Sequence, residues 1–168
     1  MRLLIVRHAK AEEREIHAAT GAPDAERPLT EAGRKSARKI GRALKDILPR
    51  IDVLASSPFV RAHETARLIA REYRRLDVVA LPALTPGVSG KTVLAWLQEQ
   101  AEDATVAMVG HEPDLGRLGS WLLTGRDQAF LTIKKGGACL LDFPEAPSPG
   151  HGQLAWLLAP AQLRRLGA

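Results

Sequence analysis

Arg2-Leu3-Leu4-Ile5-Val6-Arg7-His8-Ala9-Lys10 is the stretch that decides the fold. Its four consecutive apolar residues, Leu3 to Val6, include two β-branched ones and read as a strand buried on both faces. Charge returns at Arg7-His8, where such a strand leaves its sheet, and open α/β sheets bind their ligands along that edge. A histidine there has two available jobs: an incidental hydrogen bond at the strand end, or nucleophilic attack on an anion held by the neighbouring guanidinium. The rest of the chain decides between them.

Outward from this strand, apolar runs alternate with helical periodicity. Thr30 is a fitting N-cap for a helix whose face Gly33, Ala37, Ile40, Leu44, Ile47 and Leu48 is apolar, and Pro49 stops it. The opposite face, Arg34, Arg38, Arg42 and Lys45, reads as the wet side. Strands are expected over residues 52–55, 77–80 and 105–109, and helices over 59–74, 90–100 and from Asp114 to Gly125. Strands near 138–143 and 153–158 and a short helix over 160–166 complete the pattern. It predicts a three-layer α/β sandwich: a mostly parallel central sheet with helices on both faces. Neither a repeat nor a linker interrupts residues 1–168, which are read as one domain. The segment 9–29 is long for a loop in a compact domain and begins at Arg7-His8, so it reads as the rim of a site.

The 168 residues suit a single full core. Net charge is +5 and the pI about 9.8, yet aromatic residues are only 4% and do not interleave with the basic ones, which argues against nucleic acid as a partner. No apolar window reaches membrane-spanning length, and the short apolar run before Arg7 is no signal-peptide core. Cytoplasmic residence is therefore expected, and the single cysteine, Cys139, reads as a core residue in a reducing compartment. Trp96, Trp121 and Trp156 fall at core-like positions.

A second histidine, His111, follows the fourth predicted strand, and Arg61 lies in the first turn of the helix after the second. The sheet edge thus gathers Arg7, His8, Arg61 and His111. Without cysteine nearby or histidines paired at i, i+4, this set resembles no metal site, and no glycine-rich phosphate loop is present; neither metal nor cofactor is expected. Two arginines can fork onto the oxygens of a phosphoryl dianion, with a protonated His111 as a further donor. His8, held neutral by giving one ring proton to a backbone carbonyl, would present its other nitrogen to phosphorus.

Arg7-His8-Ala9, Ser57-Pro58-Phe59-Val60-Arg61-Ala62 with Thr65-Ala66, and Gly110-His111-Glu112-Pro113 resemble the three signature segments of the histidine phosphatase (phosphoglycerate mutase-like) superfamily. Arg27-Pro28-Leu29-Thr30-Glu31-Ala32-Gly33 and Pro82-Ala83-Leu84-Thr85-Pro86 resemble its small SixA-type phosphohistidine phosphatases. The resemblance implies His8 as nucleophile and Arg7, Arg61 and His111 as phosphate pocket. Ala9 departs from the usual glycine, a change expected to be tolerated. Mutase-type relatives carry a catalytic glutamate after the third strand, whereas residues 80–90 contain no carboxylate. A phosphoramidate leaving group is easily protonated, so a weak acid suffices. Asp24 is the leading candidate for it, with Glu12 behind, and Arg27 is a candidate third phosphate-binding cation. His17, His63 and His151 are read as solvated or structural.

The expected activity is hydrolysis of phosphohistidine in a protein, such as a histidine phosphotransfer domain, by a metal-independent phosphatase working through a phosphorylated His8. No insertion is long enough to form a lid domain, which leaves the pocket open to a side chain of another protein. The alternative is a phosphomonoesterase acting on a small sugar-phosphate-like metabolite. A mutase is disfavoured by the missing glutamate, and a non-catalytic phosphate-binding module by the histidine pair.

Overall fold

The computed structural model describes residues 1–74 and 76–167. A six-stranded sheet runs β3-β2-β4-β1-β5-β6, formed by β1 (Arg2–Arg7), β2 (Val53–Ser56), β3 (Val78–Ala80), β4 (Thr105–Gly110), β5 (Ala138–Asp142) and β6 (Gln153–Leu158). β1 to β4 are parallel, and β5 and β6 join antiparallel. The continuous apolar runs Leu3–Val6 and 106–109 occupy the two central positions, where both faces are covered.

Alternation along these strands divides the core in two. Leu3, Ile5, Val106 and Met108 pack under α4 (Gly90–Gln98) and α5 (Asp114–Thr124), through Val93, Leu97, Leu115, Leu118 and Leu122. Leu4, Val6, Ala107 and Val109 face α2 (Glu31–Ile47), α3 (Val60–Ala70) and α6 (Pro160–Leu166), through Ile40, Leu44, Ala62, Ile69 and Leu163. Thr30 caps α2 by accepting the Gly33 N–H at 3.0 Å, and the expected apolar face is the buried one. On its wet side Lys45 lies 4.8 Å from the ring centre of Tyr73, whose hydroxyl donates to Leu48 O at the end of α2. Cys139 is fully buried in β5, and burial pushes its thiol up to about 12.

Three details differ from the sequence reading. The rim 9–29 contains a short helix, α1 (Arg14–Ala18), and a 3-10 turn (Asp24–Glu26), closed by a bridge between Ala11 and Leu29. A five-residue helix whose one buried side chain is His17 carries no apolar period to read. α3 stops at Ala70, since residues 71–74 turn to bring Tyr73 under α2. The three tryptophans are half-buried at the margins of the core.

Gly33 has a specific reason to be glycine: a Cβ there would collide with the carbonyl of Lys10. That carbonyl accepts from the Thr30 N–H and hydroxyl, so α2 starts directly against the chain leaving His8. Gly33→Ala is expected to cost about 1–3 kcal/mol through this backbone clash. A thermal melt showing a Tm within one degree of the parent would refute that.

Candidate active site

Parallel register sets the site. Arg7 pairs with Gly110 across β1 and β4, the His8 N–H donates to Gly110 O, and the Ser57 N–H donates to Val109 O. His8, His111 and Ser57 therefore stand side by side where three adjacent strands end. The rings of His8 and His111 lie 5.1 Å apart, and both are almost completely buried. The sheet edge thus brings together the residues singled out from the sequence.

His8 Nδ1 is 2.7 Å from Ala9 O, and since a carbonyl only accepts, Nδ1 carries the proton and Nε2 a lone pair. Burial drives the ring's pKa down to about 4; the Ala9 contact opposes this, while Arg61 and Arg7 add to it. His8 is a neutral imidazole with a free nitrogen. Thr65 on α3 fixes the backbone of the adjacent residue, accepting the Ala9 N–H at 3.1 Å while donating to Arg61 O at 2.7 Å. The Ala9 methyl is absorbed by a small apolar cluster with Ala11, Leu29, Ala37 and Leu68.

His111 Nε2 lies 2.8 Å from Ser57 Oγ. Ser57 Oγ accepts the Phe59 N–H at 3.3 Å, and among the described residues this fully buried hydroxyl has no other acceptor than Nε2 for its own hydrogen, which puts the ring proton on Nδ1. Burial, followed by the neighbouring His8 and Arg61, lowers the His111 pKa to about 3. In the free enzyme both histidines are therefore neutral; protonation of His111 needs an anion beside it.

The rim closes onto Arg61. Its Nη1 donates to Asp24 O at 2.8 Å and its Nη2 to Asp24 Oδ2 at 3.0 Å, from a side chain only 4% exposed. Arg27 donates through Nε to Asp24 Oδ1 at 2.8 Å and through Nη1 to Glu12 O at 2.7 Å. Arg14 approaches Asp24 to 3.7 Å. Partial burial pushes the Asp24 carboxyl up, but the Arg27 hydrogen bond and the charges of Arg61, Arg27 and Arg14 prevail, and it sits below the usual carboxylate range. The side chain of Glu12 turns to His17, 3.7 Å away, and His17 Nε2 lies 3.1 Å from Pro23 O. His17 is a structural residue of the rim; His151 is exposed and His63 half-buried on α3.

Behind Arg7 runs the segment 131–137, whose part in the site the sequence did not reveal. Arg7 Nη1 donates to Ile133 O at 2.9 Å, and the Ile133 N–H donates to Glu112 Oε1 at 2.6 Å. Glu112 also accepts the Gly116 N–H at 3.1 Å, so one carboxylate beside His111 ties α5 to the segment that orients Arg7. The Gly136 N–H bridges Arg7 O and His8 O, and Lys135 is close enough to act electrostatically on His8. The clue was a carboxylate immediately after a site histidine.

Among the described residues, the buried side-chain nitrogens and oxygens without a hydrogen-bond partner are Arg7 Nε, Arg61 Nε and His111 Nδ1. Unpaired buried polar atoms are costly, and here three N–H groups are left open around one neutral imidazole. Donors of this kind, two of them on guanidinium groups, suit an oxyanion. Among the same residues, no group of three or more His, Cys, Asp or Glu is placed to hold a metal ion. No helix among them is long and apolar enough to cross a membrane.

Fold and pocket together are those of a phosphoryl-handling α/β enzyme. The chain belongs to the histidine phosphatase superfamily (branch 1), whose family model matches residues 3–86. It is 30% identical over 168 residues to the phosphohistidine phosphatase SixA of Escherichia coli K12, covering 98% of this chain and 97% of that one. Among solved structures, the protein histidine phosphatase SixA complexed with tungstate superposes with a TM-score of 0.83 at 27% identity, covering 97% of this chain and 99% of that one. The α-ribazole phosphatase of Shigella flexneri shares the fold, with a TM-score of 0.70 at 18% identity over 95% of this chain and 97% of that one. The protein is a phosphatase of SixA-like type.

Proposed function

We propose that the protein hydrolyses phosphohistidine on another protein, such as a histidine phosphotransfer domain, in the cytoplasm and without a metal cofactor. The observation that carries this is the neutral, Nδ1-protonated His8 beside the unpartnered nitrogens Arg7 Nε, Arg61 Nε and His111 Nδ1. The similarity to SixA, including a structure holding the tetrahedral oxyanion tungstate, supports the same reading.

The phosphoryl dianion sits against Arg7, Arg61 and His111, with Arg27 adding charge at the rim. His8 Nε2 attacks phosphorus in line, forming its P–N bond as the partner's P–N bond breaks. The departing imidazole nitrogen takes a proton, and water then attacks the phosphoryl group on His8, releasing phosphate. The cations stabilise charge on the equatorial oxygens in both steps. In the free enzyme His111 is neutral, and the arriving dianion raises its proton affinity, making it a charged donor.

Asp24 supplies the proton in this scheme. In the free enzyme it is ionised and paired with Arg61. Phosphate bound at Arg61 Nε places a dianion beside Asp24 and offsets part of the guanidinium charge that the carboxylate feels; both changes raise its pKa. Asp24 thus takes up a proton as substrate arrives and gives it to the leaving group. Asp24→Asn is expected to lower kcat by about 10²-fold on an alkyl phosphoester, which needs an acid, and only a few-fold on a phosphoramidate. Equal losses on both substrates would remove Asp24 from the proton path.

The test of the function itself is phosphate release from a phosphohistidine-bearing phosphotransfer protein, beside a panel of sugar phosphates and aryl phosphates, with and without chelator. Preference for the phosphoramidate, insensitive to chelator, is expected. Faster turnover of a sugar phosphate would establish the small-metabolite phosphomonoesterase instead.

A further inference from the structure

A cavity of about 420 Å³ adjoins the catalytic pocket and shares His111 with it, whereas His8 is not part of its wall. In-line attack by His8 sends the leaving group away from His8, so whatever is attached to the phosphoryl group departs on the far side. The cavity begins on the His111 side. It lies between the segment after β3 and the helices α4 and α5, fixed in part by the Gly87 N–H donating to Asp114 Oδ2 at 2.8 Å. This is the segment that lacks a carboxylate.

The floor is made by Leu84, Val93, Leu115, Leu118 and Trp121. Aliphatic and aromatic groups gain from burial against such a floor, and Thr85, Ser89 and the Trp121 indole N–H are the neutral polar groups beside it. The rim carries Lys91 and Arg117 with Asp114 and Asp127, two charges of each sign. A balanced rim around an apolar floor suits a polypeptide surface better than a polyanionic metabolite. The volume falls in the range of whole ligand sites and exceeds what one imidazole ring fills.

We infer that this cavity is the docking subsite for the protein substrate, receiving an apolar or aromatic side chain that neighbours the phosphohistidine on the partner. The inference rests on the phosphohistidine reading above and adds what selects the partner. The site pocket recognises the phosphoryl group, and the cavity recognises the protein that carries it.

Val88, on the lip, is partly exposed, so a large side chain can enter the cavity from there without disturbing the core. Val88→Trp and the charge reversal Lys91→Glu are assayed on a phosphohistidine phosphotransfer protein and on phosphoimidazole, which brings only the leaving ring and no neighbouring side chain to the cavity. The ratio of kcat/KM for the protein to that for phosphoimidazole is expected to fall about tenfold or more in Val88→Trp, mainly through KM, and several-fold in Lys91→Glu. A ratio unchanged in both variants overturns the subsite while leaving the phosphohistidine activity of the parent enzyme in place. Absence of that activity in the parent, with Val88→Trp blocking an aryl phosphate instead, overturns both and assigns the cavity to a small aromatic ester.

Discussion

His8→Ala is expected to lower phosphate release by about 10⁴-fold to 10⁶-fold, the scale seen when a covalent nucleophile is deleted from an otherwise intact site. The arginine pocket survives the change, so tungstate should still bind within a few-fold of its parent affinity. Parent enzyme quenched during turnover should carry an acid-labile, base-stable phosphoryl group on His8, and the variant none. Exogenous imidazole should restore part of the activity by filling the space the ring vacates. A variant retaining a tenth of parental activity would rule out the covalent route. The pH profile offers a second check on the same residue. With its pKa lowered to about 4 by burial, His8 stays neutral through the range where an ordinary histidine, near 6.5, becomes charged. The acid limb of kcat/KM set by this group in the free enzyme is therefore expected near pH 4. The sign for stability comes from proton counts: between about 6.5 and 4 the unfolded chain binds the proton that folded His8 refuses. Stability from this residue is thus complete above the ordinary value and is lost as pH falls towards 4. His111, lowered to about 3, acts in the same direction, so His8→Ala should flatten the acid decline measured by urea melts.

What could be read from the sequence was what repeats or is local. The buried runs Leu3–Val6 and 106–109 announce central strands because a parallel sheet covered on both faces leaves no polar position to confuse the pattern. Thr30 and Pro49 mark the limits of α2 by capping chemistry that needs no knowledge of the rest of the chain. Arg7, His8 and His111 stood out because they lie at or just past a strand end, and Arg61 because it opens the helix that follows one. Arg61 shows the limit of that reasoning. The helical wheel puts it off the apolar stripe of α3, yet it is buried, because the rim folds back from a position 37 residues earlier to cover it. The Ser57 to His111 contact, across 54 residues, and the Glu112 to Ile133 contact, across 21, are likewise single polar links. Such links have no period, so composition and spacing do not foretell them. The short α1 stayed hidden for the related reason that its buried side chain is a histidine rather than an apolar residue.

Arg61→Met is expected to lower kcat/KM on the phosphohistidine substrate by about 10³-fold, the scale for losing one preorganised cation from a phosphoryl pocket. Lysine at the same position should recover little, since an ammonium ion cannot reproduce a fork held by two donors on Asp24 with Nε left for phosphate. Stability should move the other way. Burial lowers the Arg61 pKa, which means the fold works against this charge, and Nε has no partner among the described residues. The ion pair with Asp24 offsets part of that cost, but Asp24 is over a third exposed and keeps Arg27 and Arg14 as partners when Arg61 is gone. Methionine keeps much of the buried volume and removes both the desolvated charge and the unsatisfied donor. A Tm equal to or above that of the parent, alongside the collapse in turnover, is therefore expected from a thermal melt. A Tm several degrees lower would show that the rim from Arg14 to Arg27 depends on Arg61 for its fold, making the guanidinium a structural latch as well as a phosphate ligand. An unchanged Tm with unchanged kcat/KM would place the phosphate elsewhere. The two readouts thus separate a charge kept for substrate from a charge kept for the fold, and an orphaned Nε argues for the first.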